Sequence, residues 1–149
     1  QKDQRFYWVT FSHYEVANGV VTRTYTNTPK ALEDKAEFKE DGSPLYVQVF
    51  DATAGEHGAM VDTTEQLVTK GLKSIWIAQN KASANSLLAS TDWMVIRKAE
   101  RNIDIPADTV AYRAAVVAKA TELEAAISAV TSVEELIAVN LSFPNNGVI

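Results

Sequence analysis

The sequence predicts an α+β fold: an N-terminal antiparallel β-hairpin or sheet, then a C-terminal helical region with one long helix. Three observations carry this. Residues 5–14, Arg-Phe-Tyr-Trp-Val-Thr-Phe-Ser-His-Tyr, are aromatic and β-branched, which suits a pleated, half-buried surface. Asn18-Gly19 separates them from a second such run, and this dipeptide tolerates the two positive φ angles of a type I′ hairpin turn. From Asn80 onward the apolar residues recur at helical spacing. The expected organisation is a β-rich region over residues 1–78 and a helical region over 79–149.

In the hairpin, strict alternation places Phe6, Trp8, Thr10 and Ser12 on one face and Tyr7, Val9, Phe11 and His13 on the other. Both faces carry aromatics near the strand start, so that end is expected to be covered on both sides. Residues 29–39 are polar with scattered apolar points, and Thr28-Pro29 can start a short helix there. Asp41-Gly42-Ser43-Pro44 reads as a turn, Leu45 to Phe50 as a strand, and Ala52 to Asp62 as an exposed loop. Thr64 to Lys70 suits a helical turn, and Lys73 to Ala78 suits a strand.

The helical region opens with the Ala- and Ser-rich residues 80–88. Thr91 can cap a new helix that carries Trp93, Ile96 and Glu100. Pro106 ends the segment before it and opens a long helix over residues 107–130. Along that helix Tyr112, Val116, Leu123, Ile127 and Val130, with Ala120 between, share one face. Thr131 and Glu134 stand at capping-box spacing and start a further helix through Leu136 and Val139. Phe143-Pro144-Asn145-Asn146-Gly147 reads as a closing loop.

Composition narrows the function. The 149 residues are 46% hydrophobic and 22% charged, an ordinary globular balance. A net charge of −5 argues against nucleic acid as a partner, because phosphate contacts need clustered Lys and Arg. With no cysteine, disulfides, thiolate nucleophiles and thiolate zinc sites are excluded. No apolar run is long enough to span a bilayer, so no membrane association is expected. No signal-peptide pattern opens the chain, and Gln1 in place of Met implies a processed, trimmed or later-numbered start.

Catalytic constellations are sparse. The two histidines, His13 and His57, fall in a strand and in a Gly-bounded loop, and neither shares metal-ligand spacing with another ligand type. Glu33, Asp34, Glu37, Glu40 and Asp41 form an acidic run without calcium-loop spacing, and Lys30, Lys35 and Lys39 interleave with it. A solvated mixed-charge helix face accounts for it better. Glu122 and Glu124 point in different directions on a helix, and the six glycines form no phosphate loop. The expectation is therefore a non-enzyme with no cofactor and no metal.

The stretch Thr91 to Arg113 is the most distinctive. Its order, Leu87-Leu88, Thr91-Asp92-Trp93, Ile96-Arg97-Lys98-x-Glu100, Ile105-Pro106 and Tyr112-Arg113, resembles the C-terminal part of tail-fibre assembly proteins and related small tail-associated proteins of tailed bacteriophages. Phe143-Pro144 is similar to the short aromatic-Pro ending of that family. The resemblance covers roughly the last 60 residues, and order and spacing carry it. The Ala-rich extension through Val130 and the helix after it depart from the family pattern.

The resemblance implies a structural or assembly protein of a tailed-phage virion, in the tail, baseplate or fibre-attachment region, assembled in the host cytoplasm. A tail-fibre assembly chaperone is the alternative, and a small glycan hydrolase a more distant one. Expected partners are other phage structural proteins or a tail fibre, with a homo-oligomer also open. Trp93, Arg97, Arg101, Tyr112 and Arg113 are the candidate protein-interface residues, since exposed Trp, Tyr and Arg are favoured anchors. The helix stripe at Tyr112, Val116, Leu123 and Ile127 is expected to pack against the sheet, a helix or another subunit.

Overall fold

The computed structural model describes residues 2–144. Two hairpins lead into three helices, as an α+β chain. Strands β1 (Tyr7–Ala17) and β2 (Val20–Pro29) pair antiparallel, and Asn18 and Gly19 both take positive φ, 51° and 77°, as a type I′ turn requires. The short strand β3 (Lys35–Ala36) pairs with β6 (Val68–Thr69), and β4 (Tyr46–Asp51) pairs with β5 (Ala59–Gln66). All three sheets are two-stranded.

A bulge reshapes the first hairpin. Phe11 pairs with Tyr25 but His13 pairs with Thr24, so Ser12 is an extra residue in β1. Strict alternation is therefore corrected beyond Phe11: His13 joins the side of Trp8 and Thr10, and Tyr14 and Val16 move to the side of Tyr7, Val9 and Phe11. Trp8 is 64% exposed, so the expected cover on both sides is absent; only the Lys30 ammonium stands over its ring, at 4.6 Å. Tyr7 faces the core and is 3% exposed.

Helix α1 (Leu72–Arg101) is longer and starts earlier than expected. Residues 73–78 form its first turns, and helical structure begins seven residues before position 79. Packing overrides the β propensity of Ile75 and Ile77 there: Leu72 is buried and the Trp76 ring stacks on Phe6 at 5.2 Å. The start of α1 is capped from a distance. Gly71 supplies no side chain, but its N–H donates to the Asp34 carboxylate at 2.8 Å, while Leu72 N–H and Lys73 N–H donate to the carbonyls of Ala31 and Leu32. This docking holds residues 31–34 non-helical, which corrects the short helix expected over 29–39. Likewise residues 64–66 lie in β5 and residues 68–69 in β6 rather than in a helical turn, and β5 takes residues 59–62 of the expected 52–62 loop.

Thr91 caps no helix. It lies inside α1, is buried, and its hydroxyl donates to the Leu88 carbonyl at 3.0 Å. Helix α1 ends at Asn102, which has a left-handed φ of 52°, and Pro106 precedes α2 (Ala107–Ala129). Val116, Leu123, Ile127 and Val130 are buried as the stripe predicts, and Tyr112 is half-buried. Helix α3 (Val133–Ala138) is capped one residue later than expected. The Ser132 hydroxyl accepts from the Glu135 N–H, and the Glu135 carboxylate accepts from the Thr131 N–H and hydroxyl. Residues 145–147 of the expected closing loop lie outside the described residues.

The core gathers Phe6, Tyr7, Leu72, Ile127, Val130, Val133 and Leu136, where the base of the first hairpin meets the start of α1, the end of α2 and α3. The remainder of each hairpin extends beyond it. The protein exposes 10528 Å², against about 7,500 Å² for a compact monomer of 149 residues.

Candidate functional site: an uncovered hairpin face and the segment from Thr91 to Arg113

The bulge at Ser12 gives the first hairpin one continuous apolar face. Its cross-strand pairs are Tyr7–Pro29, Val9–Asn27, Phe11–Tyr25, Tyr14–Arg23 and Val16–Val21. The opposite face is lined by Thr22, Thr24, Thr26 and Thr28 against Glu15, His13, Thr10 and Trp8. At the base, Tyr7 and Val9 pack into the core. Farther out nothing among the described residues covers the same face: Phe11, Tyr14, Val16 and Val21 are all exposed. There the rings form a cluster, with Phe11 5.1 Å from Tyr14 and 6.2 Å from Tyr25, and the Arg23 guanidinium 5.8 Å from Tyr14. Tyr, Phe and Arg together are the composition of a protein-binding patch. On the second hairpin Phe50 and its cross-strand partner Met60 are exposed together on one face.

The five interface residues expected from the sequence divide between two roles. Arg113 is spent inside the molecule. Its guanidinium donates to the Leu88 carbonyl at 2.9 Å and to the Thr91 hydroxyl at 2.6 Å, and pairs with Asp92 at 2.9 Å. It ties α2 to α1, and Tyr112 beside it is half-buried. Trp93 and Arg97 instead stay on the outer side of α1: the Trp93 ring is 51% exposed and the Arg97 guanidinium lies 4.7 Å from its centroid. Arg101 is exposed in the last turn of α1, where a cation suits the helix dipole.

Several carboxylates are tied up in local structure. Ser74, the Gly71 N–H and Lys70 hold the Asp34 carboxyl below its ordinary value. Glu33 pairs with Lys73 at 2.5 Å, and Asp41 accepts from the N–H and hydroxyl of Ser43 in its turn. The acidic run is thus a set of turn and cap contacts rather than a helix face. His13 and His57 are exposed on different hairpins. Among the described residues no group of three His, Cys, Asp or Glu side chains could hold a metal, and no helix is long and apolar enough to cross a membrane. A cleft of about 310 Å³ opens at the base, lined by Asp3, Arg5, Trp76 and Asn140 among others. Its charges neutralise each other, with Arg5 on Asp3 at 2.6 Å.

The uncovered hairpin face was the part that sequence reasoning missed. A signal did exist in β2, where Val21, Arg23 and Tyr25 alternate with threonines, but the bulge hides the matching period in β1. Comparison with protein-family models, with curated proteins and with solved structures finds no match.

Proposed function

We propose that this chain is a non-enzymatic structural and assembly protein of a tailed-phage virion, a component of the tail, baseplate or fibre-attachment region. The single observation that carries an assembly role is the hairpin face that leaves the core at Val9 and continues exposed through Phe11, Tyr14, Val16 and Val21, with the half-buried Tyr25 beside Phe11. A free monomer gains nothing from an aromatic face in water, whereas a subunit gains its burial on docking. The virion setting rests on the tail-protein resemblance of residues 87–113.

The test is quantitative mass spectrometry of purified particles from cells in which this chain is made with its neighbouring phage proteins. The chain is expected at fixed stoichiometry, and Phe11→Glu with Tyr25→Glu should remove it from particles while leaving its circular dichroism unchanged. Absence of the wild-type chain from particles overturns the reading. If the chain instead leaves after making a co-expressed fibre soluble and trimeric, it is the chaperone.

A further inference from the structure

Beyond α3 the chain returns over the helices. Residues 140–144 follow Val139 without regular structure. Val139 and Leu141 pack against the core, while Phe143 stands outside that cluster. Leu141 borders the cleft of about 310 Å³ at the base and, with Phe143, an inner void of about 90 Å³. Phe143 also borders an open hollow of about 530 Å³ against Ala115, Ala118 and Glu122 of α2. Three hollows along so short a segment are unlike a native interior, where voids larger than a water molecule are few. The backbone adds no hold. Among the described residues, the hydrogen bonds of residues 140–144 are the two from the Ser142 N–H and hydroxyl to Asn140 Oδ1, both within the segment.

Across the inner void from this segment stand Trp76, Gln79, Asn80 and Ser83, one face of α1 at spacings of three and four. Asn80 is the anomaly among them. It is 5% exposed, its Nδ2 donates to the Ala120 carbonyl at 2.8 Å, and its Oδ1 is buried with no donor. A buried acceptor left unmet carries the desolvation penalty of that group, and the penalty disappears once water reaches it. We infer that residues 140–144 form a strap, closed over the α1 face at Trp76 and Asn80, that leaves by local opening while the core stays folded. Each observation acts on the same balance. The voids reduce the contacts of the closed state, the lack of backbone bonds leaves little to break, and the orphaned Oδ1 gains hydration on release. Leu141 is the latch: it is the strap side chain packed against the core, and it borders both cavities that Trp76 lines. The strap is therefore an autoinhibitory cover, which withholds the Trp76–Asn80 face when closed and presents it when open. It stands independently of the virion reading and of the hairpin face.

Thiol labelling of the full-length chain tests it, and the cysteine-free sequence gives a clean background. Asn80→Cys reports opening of the strap, and Leu123→Cys, at a core position 2% exposed, reports global unfolding. Under native conditions position 80 should label at least about a hundredfold faster than position 123. Adding Leu141→Ala should speed labelling at position 80 well beyond any change at position 123. Trp76 gives a second readout that needs no cysteine. In a chain with Trp8→Phe and Trp93→Phe, acrylamide quenching of Trp76 should rise with Leu141→Ala. It should fall with Asn80→Leu, which puts an apolar side chain where the unmet acceptor was. Equal labelling at positions 80 and 123, equal acceleration of both by Leu141→Ala, or Trp76 quenching that neither substitution shifts each overturns the strap.

Discussion

The Tyr7 hydroxyl donates a 2.6 Å hydrogen bond to the Glu134 carboxylate, joining the first strand to the last helix across 127 positions of sequence. Lys2 reaches the same pair, 3.2 Å from the Tyr7 oxygen and 3.4 Å from Glu134, with its ammonium 4.2 Å from the Tyr7 ring centroid. Tyr7 is buried, so its hydroxyl needs this partner, and the bond anchors the hairpin whose outer part is uncovered. Tyr7→Phe keeps the ring packing and removes the bond. It should lower the melting temperature by about 3 °C, read by thermal circular dichroism. An unchanged melting temperature would mean that the bond adds nothing net to folding.

Acid should loosen the molecule at both ends of the core. The Tyr7 hydroxyl, the Glu134 N–H and Lys2 hold the Glu134 carboxyl below its ordinary 4.5. Ser74, Gly71 and Lys70 hold Asp34 below 3.8. A carboxyl whose folded value is depressed contributes stability that is fully present above its unfolded value and is lost as pH falls through the folded one. Melting temperature should therefore be flat above about pH 5 and fall below about pH 4. Asp34→Asn should lower it at neutral pH and flatten the acid limb. Parallel pH profiles for the two proteins would reject the contribution of Asp34.

Gly71 is held by space rather than by backbone angle. A Cβ there would meet the Glu33 carbonyl and the Leu32 oxygen, backbone atoms that cannot rotate away. Gly71→Ala should force residues 31–34 off the start of α1 and destabilise the protein by about 1–3 kcal/mol, measured as a shift of the urea midpoint. A midpoint within error of wild type would show that the loop yields freely.

Leu123 and Val117 lie on the same helix in opposite settings. Leu123 is 2% exposed and Val117 is 52% exposed. Leu123→Asp buries an unpaired charge and should destabilise folding by several kcal/mol, whereas Val117→Asp should change stability by no more than about 0.5 kcal/mol. Equal effects in chemical denaturation would contradict the orientation of α2.

Local chemistry alone determined the hairpin turn at Asn18-Gly19, the boundary at Pro106, the buried stripe of α2 and the α+β class, because each depends on neighbours within a few residues. Other features needed distant partners. Residues 73–78 are helical because Asp34 and the carbonyls of Ala31 and Leu32 cap them and Phe6 stacks on Trp76. Ser12 bulges, with no signature in β1 itself, and moves Tyr14 and Val16 onto the apolar face. Thr91, read locally as a cap, sits mid-helix because its hydroxyl is satisfied by Leu88 and by Arg113 from α2. Among the interface candidates, only the packing of α2 on α1 separates Arg113, turned inward, from Trp93 and Arg97, which stay outside. The same side chain can cap, pack or bind, and tertiary contacts decide which groups remain free to do so.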